Sequence, residues 1–268
     1  MTALYPGLPN VAMAASRTSP VNPIVMIPSR LAATRLPGKP LLDIAGVPMI
    51  VQVLRRAAEA EAGPVVVATS DAEIARAVEA AGGRAQLTRP DHESGSDRIA
   101  EALNAIDPEG KYDAVVNVQG DLPILEPSTI RATLDLLRDP DVDIATPVAV
   151  AAADERENPN VVKAVFEPSG PKRGRALYFT RLPAPSGDGP LFHHIGLYAY
   201  RRAALSAFVA APQSALEKRE RLEQLRALGL GLRIEVAVVD TVPLGVDTPV
   251  ELERARGILA RAARGGKQ

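Results

Sequence analysis

Three cations fall inside one short stretch, IPSRLAATRLPGKP at residues 27–40: Arg30, Arg35 and Lys39. Arg30 and Arg35 can each offer a two-pronged guanidinium to phosphate oxygens, and Lys39 a point charge. Gly38 and the small run Ala32–Ala33–Thr34 let backbone approach a ligand closely. The stretch is not a Walker A loop, because GxxxxGK[ST] is missing. Residue types alone admit two readings, an anion site or a solvated basic loop. Two aspartates supply the opposite charge: Asp121 ends NVQGD and Asp247 sits in GVDTP. Carboxylates in such places hold Mg²⁺ beside phosphate oxygens, and equally serve as turn or helix-cap residues.

Other polar clusters carry less chemistry. His193 and His194 are adjacent in HHIGLYAYRR, and neighbours on a strand point to opposite faces. His92 is the only other histidine and no HExxH is present, so a zinc site is not expected. GxSxG is absent, which removes the usual serine hydrolase elbow. Glu217, Glu220 and Glu223, with Gln224, lie in LEKRERLEQLR, which reads as a solvated, salt-bridged helix face.

These residues need elements to position them. PIVMI (23–27), PVVVATS (64–70), RAQLT (84–88), YDAVVNVQGD (112–121) and DIATPVAV (143–150) read as strands. Helical spacing fills 48–62, 71–82, 94–106 and 126–139 between them. This alternation predicts an α/β fold with a mostly parallel central sheet and helices on both faces. KAVFEP (163–168) and RALYFT (175–180) read as a hairpin, 191–202 as one strand, 215–230 as one helix and 232–240 as a strand. The last helix is expected from about Thr248. Ligands in such sheets sit beyond the carboxyl ends of the strands, which singles out loops 28–39, 89–98 and 119–123.

Composition narrows the function. The chain has 268 residues, 31 basic against 32 acidic, no cysteine and no tryptophan. Disulfides and cysteine nucleophiles are excluded, which fits a cytoplasmic protein. Near-neutral charge and scarce aromatics argue against nucleic acid as a partner. No apolar run approaches the ~20 residues that span a bilayer. Residues 1–22 read as a disordered N-terminal extension, 23–262 as a single domain and 263–268 as a flexible tail.

Taken in order, SRLAATRLPGKPLLDIAGVPMI, TRPDHESGSDRIAE, NVQGDLP, NPNVVKAV, HHIGLYAYRR, LEQLRALGLGLRIEVA and GVDTPVELERAR closely resemble the 3-deoxy-manno-octulosonate (Kdo) cytidylyltransferase family. The likeness spans about 23–262. It implies a nucleotide-diphospho-sugar transferase fold with a smaller β-rich dimerisation and sugar-binding layer, and usually a homodimer. It implies transfer of CMP from CTP to the anomeric hydroxyl of Kdo for lipopolysaccharide, with Mg²⁺ as cofactor. By the same resemblance Arg30, Lys39, Asp121 and Asp247 are catalytic, and Asp121 and Asp247 hold the metal. Arg30, Arg35, Lys39, Ser94, Gly95, Ser96 and Asp121 bind the nucleotide, and Gln119, His194, Glu223 and Gln224 the sugar. The chain departs from the family pattern at Leu122, at Val250–Glu251 and in a short, Pro- and Gly-rich segment at 181–192. That segment keeps a second acceptor open, amino-Kdo or a sialic acid, and a nucleotide-binding protein without catalysis is the third reading.

Overall fold

The computed structural model describes residues 22–32 and 35–265. Of the expected N-terminal extension, 1–21 lie outside the described residues, as do 266–268 of the expected tail. Asn22 is tied down: its N–H donates to Asp113 Oδ1 (3.1 Å) and its side-chain amide to the Lys111 carbonyl (2.8 Å). The sequence reads 23–262 as one domain; the chain divides into two compact units. One is Asn22–Arg131 together with the segment from Pro243 onward, and the other is Ala132–Val242.

The first unit holds β1 (Pro23–Ser29), a short hairpin β2 (Asp43–Ile44) and β3 (Val47–Pro48), and α1 (Met49–Ala58). It continues with β4 (Val65–Thr69), α2 (Ala72–Ala80), β5 (Arg84–Leu87), α3 (Gly95–Ile106), β6 (Ala114–Asn117) and the start of α4 (Pro127–Asp135). Its strands run in the order β6-β1-β4-β5, all parallel. Ile24, Val25, Met26 and Ile27 of β1 are fully buried, as expected of a strand covered on both faces. The parallel order predicted from the alternating pattern is therefore present. A C-terminal helix, Pro249–Gly265, closes the unit, so residues 263–265 form its last turn rather than a loose tail. Its Leu252, Ala255 and Leu259 pack in one buried cluster with Leu36, Ile44, Met49 and Val246.

The second unit holds β7 (Ile144–Val150), the hairpin β8 (Lys163–Gly170) and β9 (Arg173–Thr180), β10 (Phe192–His194) and β11 (Tyr198–Arg201). Then follow α5 (Arg202–Ala210), α6 (Ala215–Glu220), α7 (Gln224–Gly229) and β12 (Ile234–Val238). Strand order is β10-β8-β9-β12-β7-β11, with only β7–β12 parallel.

Two expectations are corrected here. The single strand at 191–202 is two strands, because both pair with β7 on either side of Pro147, which has no N–H to give. Thr146 bridges that gap, its hydroxyl donating to the Leu197 carbonyl at 2.7 Å. The single helix at 215–230 is broken at Arg221, a left-handed residue with φ 58°. Arg226 grips Glu217 with both prongs, at 2.6 and 2.9 Å. Residues nine apart in one continuous helix would stand about 13.5 Å apart, so the pair requires the break. Glu217 is accordingly buried, not part of a solvated face. Sequence reading also missed α5.

Candidate functional site

The first unit carries a cleft of about 300 Å³ at the carboxyl ends of its strands. Its walls come from all three loops expected to matter. Arg30, Lys39, Ser94, Gly95, Gln119 and Asp121, all singled out in the sequence, line it. Arg35 and Ser96 do not. Arg35 is exposed and pairs with Asp247 Oδ2 at 2.8 Å; Ser96 is buried on α3.

The loop after β1 is shaped by two local devices. Gly38 has φ +67° with open space around it. It supplies the left-handed turn that starts a short 3₁₀ segment at Lys39–Leu41. At the start of the loop the Leu31 N–H donates to Asp71 Oδ2 (3.0 Å). Asp71 precedes α2 but makes no cap bond there; its carboxylate anchors the residue next to Arg30 instead. Gly120 is required for a different reason, since a Cβ there would meet the Pro28 carbonyl at 2.9 Å.

Lys39 is the centre of the charge arrangement. Its Nζ lies 2.9 Å from Asp121 Oδ2 and 2.8 Å from Asp247 Oδ1. Burial alone would lower its pKa; Asp121 and Asp247 outweigh that and hold it above the ordinary lysine value. Burial pulls Asp247 the other way, and Lys39 with Arg35 holds its carboxyl below the ordinary range. Asp247 is oriented by Glu251, whose Oε2 accepts from the N–H groups of Asp247 and Thr248, both at 2.8 Å. This Glu251 is one of the departures from the family pattern, and it completes a reciprocal cap on the last helix, its N–H donating to Thr248 Oγ1 at 3.4 Å. The Val246 N–H donates to the Asp121 carbonyl at 3.0 Å, joining the two aspartate loops directly.

The opposite wall is loop 88–94 and the N-terminus of α3. Ser94 caps α3, its Oγ accepting from Asp97 N–H at 3.1 Å. His92, Glu93 and Arg98 also line the cleft. Ser29 Oγ is buried in the wall and makes no hydrogen bond. Sequence reading missed Ser29, Asp71, His92, Arg98, Glu101 and Glu251 as site residues. The spacing of Arg98 and Glu101 three apart on α3, behind a histidine loop, was the available signal for two of them.

The remaining expected residues, His194, Glu223 and Gln224, belong to the second unit. His194 is buried at the end of β10, and its Nε2–H donates to Thr146 Oγ1 at 2.9 Å, since that hydroxyl is already donating elsewhere. Burial, with His193 beside it, pushes the imidazole down to about 3. Its ring packs 5.5 Å from that of Tyr198. Burial, Tyr200 and the Glu223 carboxylate all raise the Tyr198 pKa. His194 and Glu223 are thus gathered around Tyr198, which the sequence did not single out. Gln224 is buried at the start of α7.

The residues present fit a divalent cation. Two carboxylates already converge on one cationic atom, and the donors are all oxygen, as Mg²⁺ prefers. Among the described residues there is no cluster of three or more His, Cys, Asp or Glu side chains that could hold a metal. A two-carboxylate set leaves coordination positions for phosphate oxygens.

Residues 24–234 match the family model for cytidylyltransferase. A 3-deoxy-manno-octulosonate cytidylyltransferase of Rhodopseudomonas palustris (strain BisA53) is 64% identical over 238 residues, 88% of this chain and 96% of that one. The enzyme of that name from Methylobacterium radiotolerans is 65% identical over 239 residues, 89% and 97% of the two chains. A solved structure of CMP:2-keto-3-deoxy-manno-octonic acid synthetase complexed with CTP superposes with TM-score 0.84 at 38% identity, covering 90% of this chain and 100% of that one. UDP-glucose pyrophosphorylase complexed with UDP-glucose, 13% identical with TM-score 0.65 over 90% of this chain and 100% of that one, shares the fold alone. The α/β fold is that of the nucleotide-diphospho-sugar transferases. With nearly two-thirds identity over almost nine-tenths of its length, the chain belongs to the 3-deoxy-manno-octulosonate cytidylyltransferases of the cytidylyltransferase family.

Proposed function

We propose that the protein transfers CMP from CTP to the anomeric hydroxyl of Kdo, releasing pyrophosphate. The hydroxyl oxygen attacks the α-phosphorus in line, and the bond to the β-phosphate oxygen breaks. The observation that carries this reading is the Lys39 ammonium held between Asp121 and Asp247 at a cleft that Arg30 also lines. Such catalysis is mainly positioning and charge neutralisation. Arg30, Arg35 and Lys39 hold phosphate oxygens. Ser94 and Gly95 bring the N-terminus of α3, with its free N–H groups, to the nucleotide. Ser96, buried behind them, supports that turn. Asp121 and Asp247 would hold Mg²⁺, which when bound neutralises phosphate charge and lowers the pKa of the attacking hydroxyl.

For the acceptor, the proposal keeps Gln119 in the cleft and His194, Glu223 and Gln224 on the second unit. His194, kept neutral by burial, can donate or accept but brings no charge to an acidic sugar. The product serves lipopolysaccharide assembly, and the protein works in the cytoplasm as a homodimer.

Pyrophosphate release from purified protein with CTP, Mg²⁺ and a panel of Kdo, amino-Kdo and sialic acid tests the reading. Release with Kdo supports it. Release with sialic acid but not Kdo overturns the acceptor assignment, and no release with any acceptor favours a nucleotide-binding protein.

A further inference from the structure

Loop 88–94 forms one wall of the cleft and has no regular structure, yet α3 fixes it at several points. Glu101, one face of α3, reaches back to it with both carboxylate oxygens. Oε1 accepts from the Arg89 N–H at 2.9 Å; Oε2 accepts from Arg89 Nε at 2.9 Å and lies 2.6 Å from His92 Nε2. One turn earlier, Arg98 donates from Nη1 to Thr88 Oγ1 at 2.6 Å and to the Arg89 carbonyl at 3.2 Å. The backbone N–H and the carbonyl of Arg89 are therefore both held by side chains of one helix.

The chemistry of these contacts fixes the imidazole. An ionised carboxylate only accepts, so His92 Nε2 carries the proton of this bond. The His92 side chain is 6% exposed and lines the cleft. Hydrogen bonds to an ionised group are about twice as strong as neutral ones, so this wall is rigid before ligand arrives. Arg98 is 3% exposed, also lines the cleft and has no carboxylate within ion-pair distance among the described residues. Its remaining donors are available to an acceptor that enters the cleft.

We propose that Glu101 is a positioning residue for the nucleotide, acting through His92 and the Arg89 peptide to hold the 88–94 wall in its binding form. The inference rests on the reading that this cleft takes CTP. A preformed wall spares the ligand the cost of ordering it, so the effect falls on nucleotide affinity rather than on the chemical step.

The test compares wild type with Glu101→Ala, Glu101→Gln, His92→Ala and the Glu101→Ala/His92→Ala double variant. CTP affinity is measured by calorimetry, KM and kcat by pyrophosphate release, and melting temperature without ligand. Glu101→Ala should raise the CTP Kd and KM about tenfold, with kcat within about threefold. Glu101→Gln should fall between, since its single amide oxygen can replace only one of the two acceptors. In the His92→Ala background the Glu101→Ala change should cost less than in wild type, because coupled residues are not additive. An unchanged KM, a fully additive double variant, or equal loss of kcat and KM effects alongside a lowered melting temperature overturns the proposal. If Glu101→Ala does not fold, the near-isosteric Glu101→Gln decides. A wild type that fails to bind CTP overturns the nucleotide reading itself, which the variants do not address.

Discussion

Lys39 and Asp247 lie 208 positions apart in sequence and meet at 2.8 Å. The C-terminal helix makes the meeting possible by packing its apolar side on Leu36, Ile44 and Met49. Glu251, one turn into that helix, then holds the backbone of Asp247 and Thr248. Burial of a helix face therefore decides where a site carboxylate stands.

Asp121→Asn and Asp247→Asn should each cut turnover at least ~100-fold, the scale seen when a key electrostatic partner is lost. Pyrophosphate release at saturating CTP and Mg²⁺ is the measurement. Near-normal rates in both variants would dismiss the metal assignment.

Lys39→Met removes the cation that now neutralises both carboxylates while keeping the side chain's length. Added Mg²⁺ should then raise the melting temperature of the variant more than that of wild type, with no nucleotide present. Binding to the folded state stabilises by RT ln(1 + [L]/Kd), so the larger rise reads as tighter metal binding. An equal or smaller rise would mean that Lys39 does not occupy the cation's place.

His194 links stability to pH. Its folded pKa is about 3, against 6.5 for the unperturbed group. The unfolded chain therefore binds a proton that the folded chain refuses between those values. Its contribution is complete above pH 6.5 and is lost as pH falls towards 3, at about 1.4 kcal/mol per pH unit. Urea unfolding of His194→Gln at pH 7, 6 and 5 should show a shallower decline than wild type. Parallel declines would mean that the imidazole is not buried neutral.

Arg226→Leu should destabilise the fold by about 3–5 kcal/mol, because Glu217 would stay buried without its partner. The double change Glu217→Leu/Arg226→Leu should recover part of that loss. Urea midpoints with unchanged slopes would establish both values.

The parts of the molecule that were legible in the sequence are those governed by local pattern. The β1, β4 and β6 runs are apolar because they are buried, and the alternation of strands with amphipathic helices set the parallel order. Arg30, Lys39 and Asp121 meet at one cleft because each stands in a loop at a strand end, the place that the alternating pattern singles out. What escaped was set by contacts distant in sequence. Residues 215–230 have continuous helical spacing, and only the Arg226–Glu217 pair reveals the break at Arg221. Asp71 stands just before α2, but its carboxylate serves Leu31, 40 positions away. Glu217 looked solvated for the same reason, since periodicity alone places a charge on a helix face without saying what covers it.

The first unit is built from two stretches of chain with Ala132–Val242 between them. A ribosome must therefore finish the whole intervening unit before Asp247 exists to join Asp121 and Lys39. At about 5–20 residues per second, the nascent protein spends several seconds with its basic loop and Asp121 in place but the second carboxylate unmade. Interrupted synthesis thus yields chains that lack half of the proposed metal pair, so that catalytic competence arrives late and all at once.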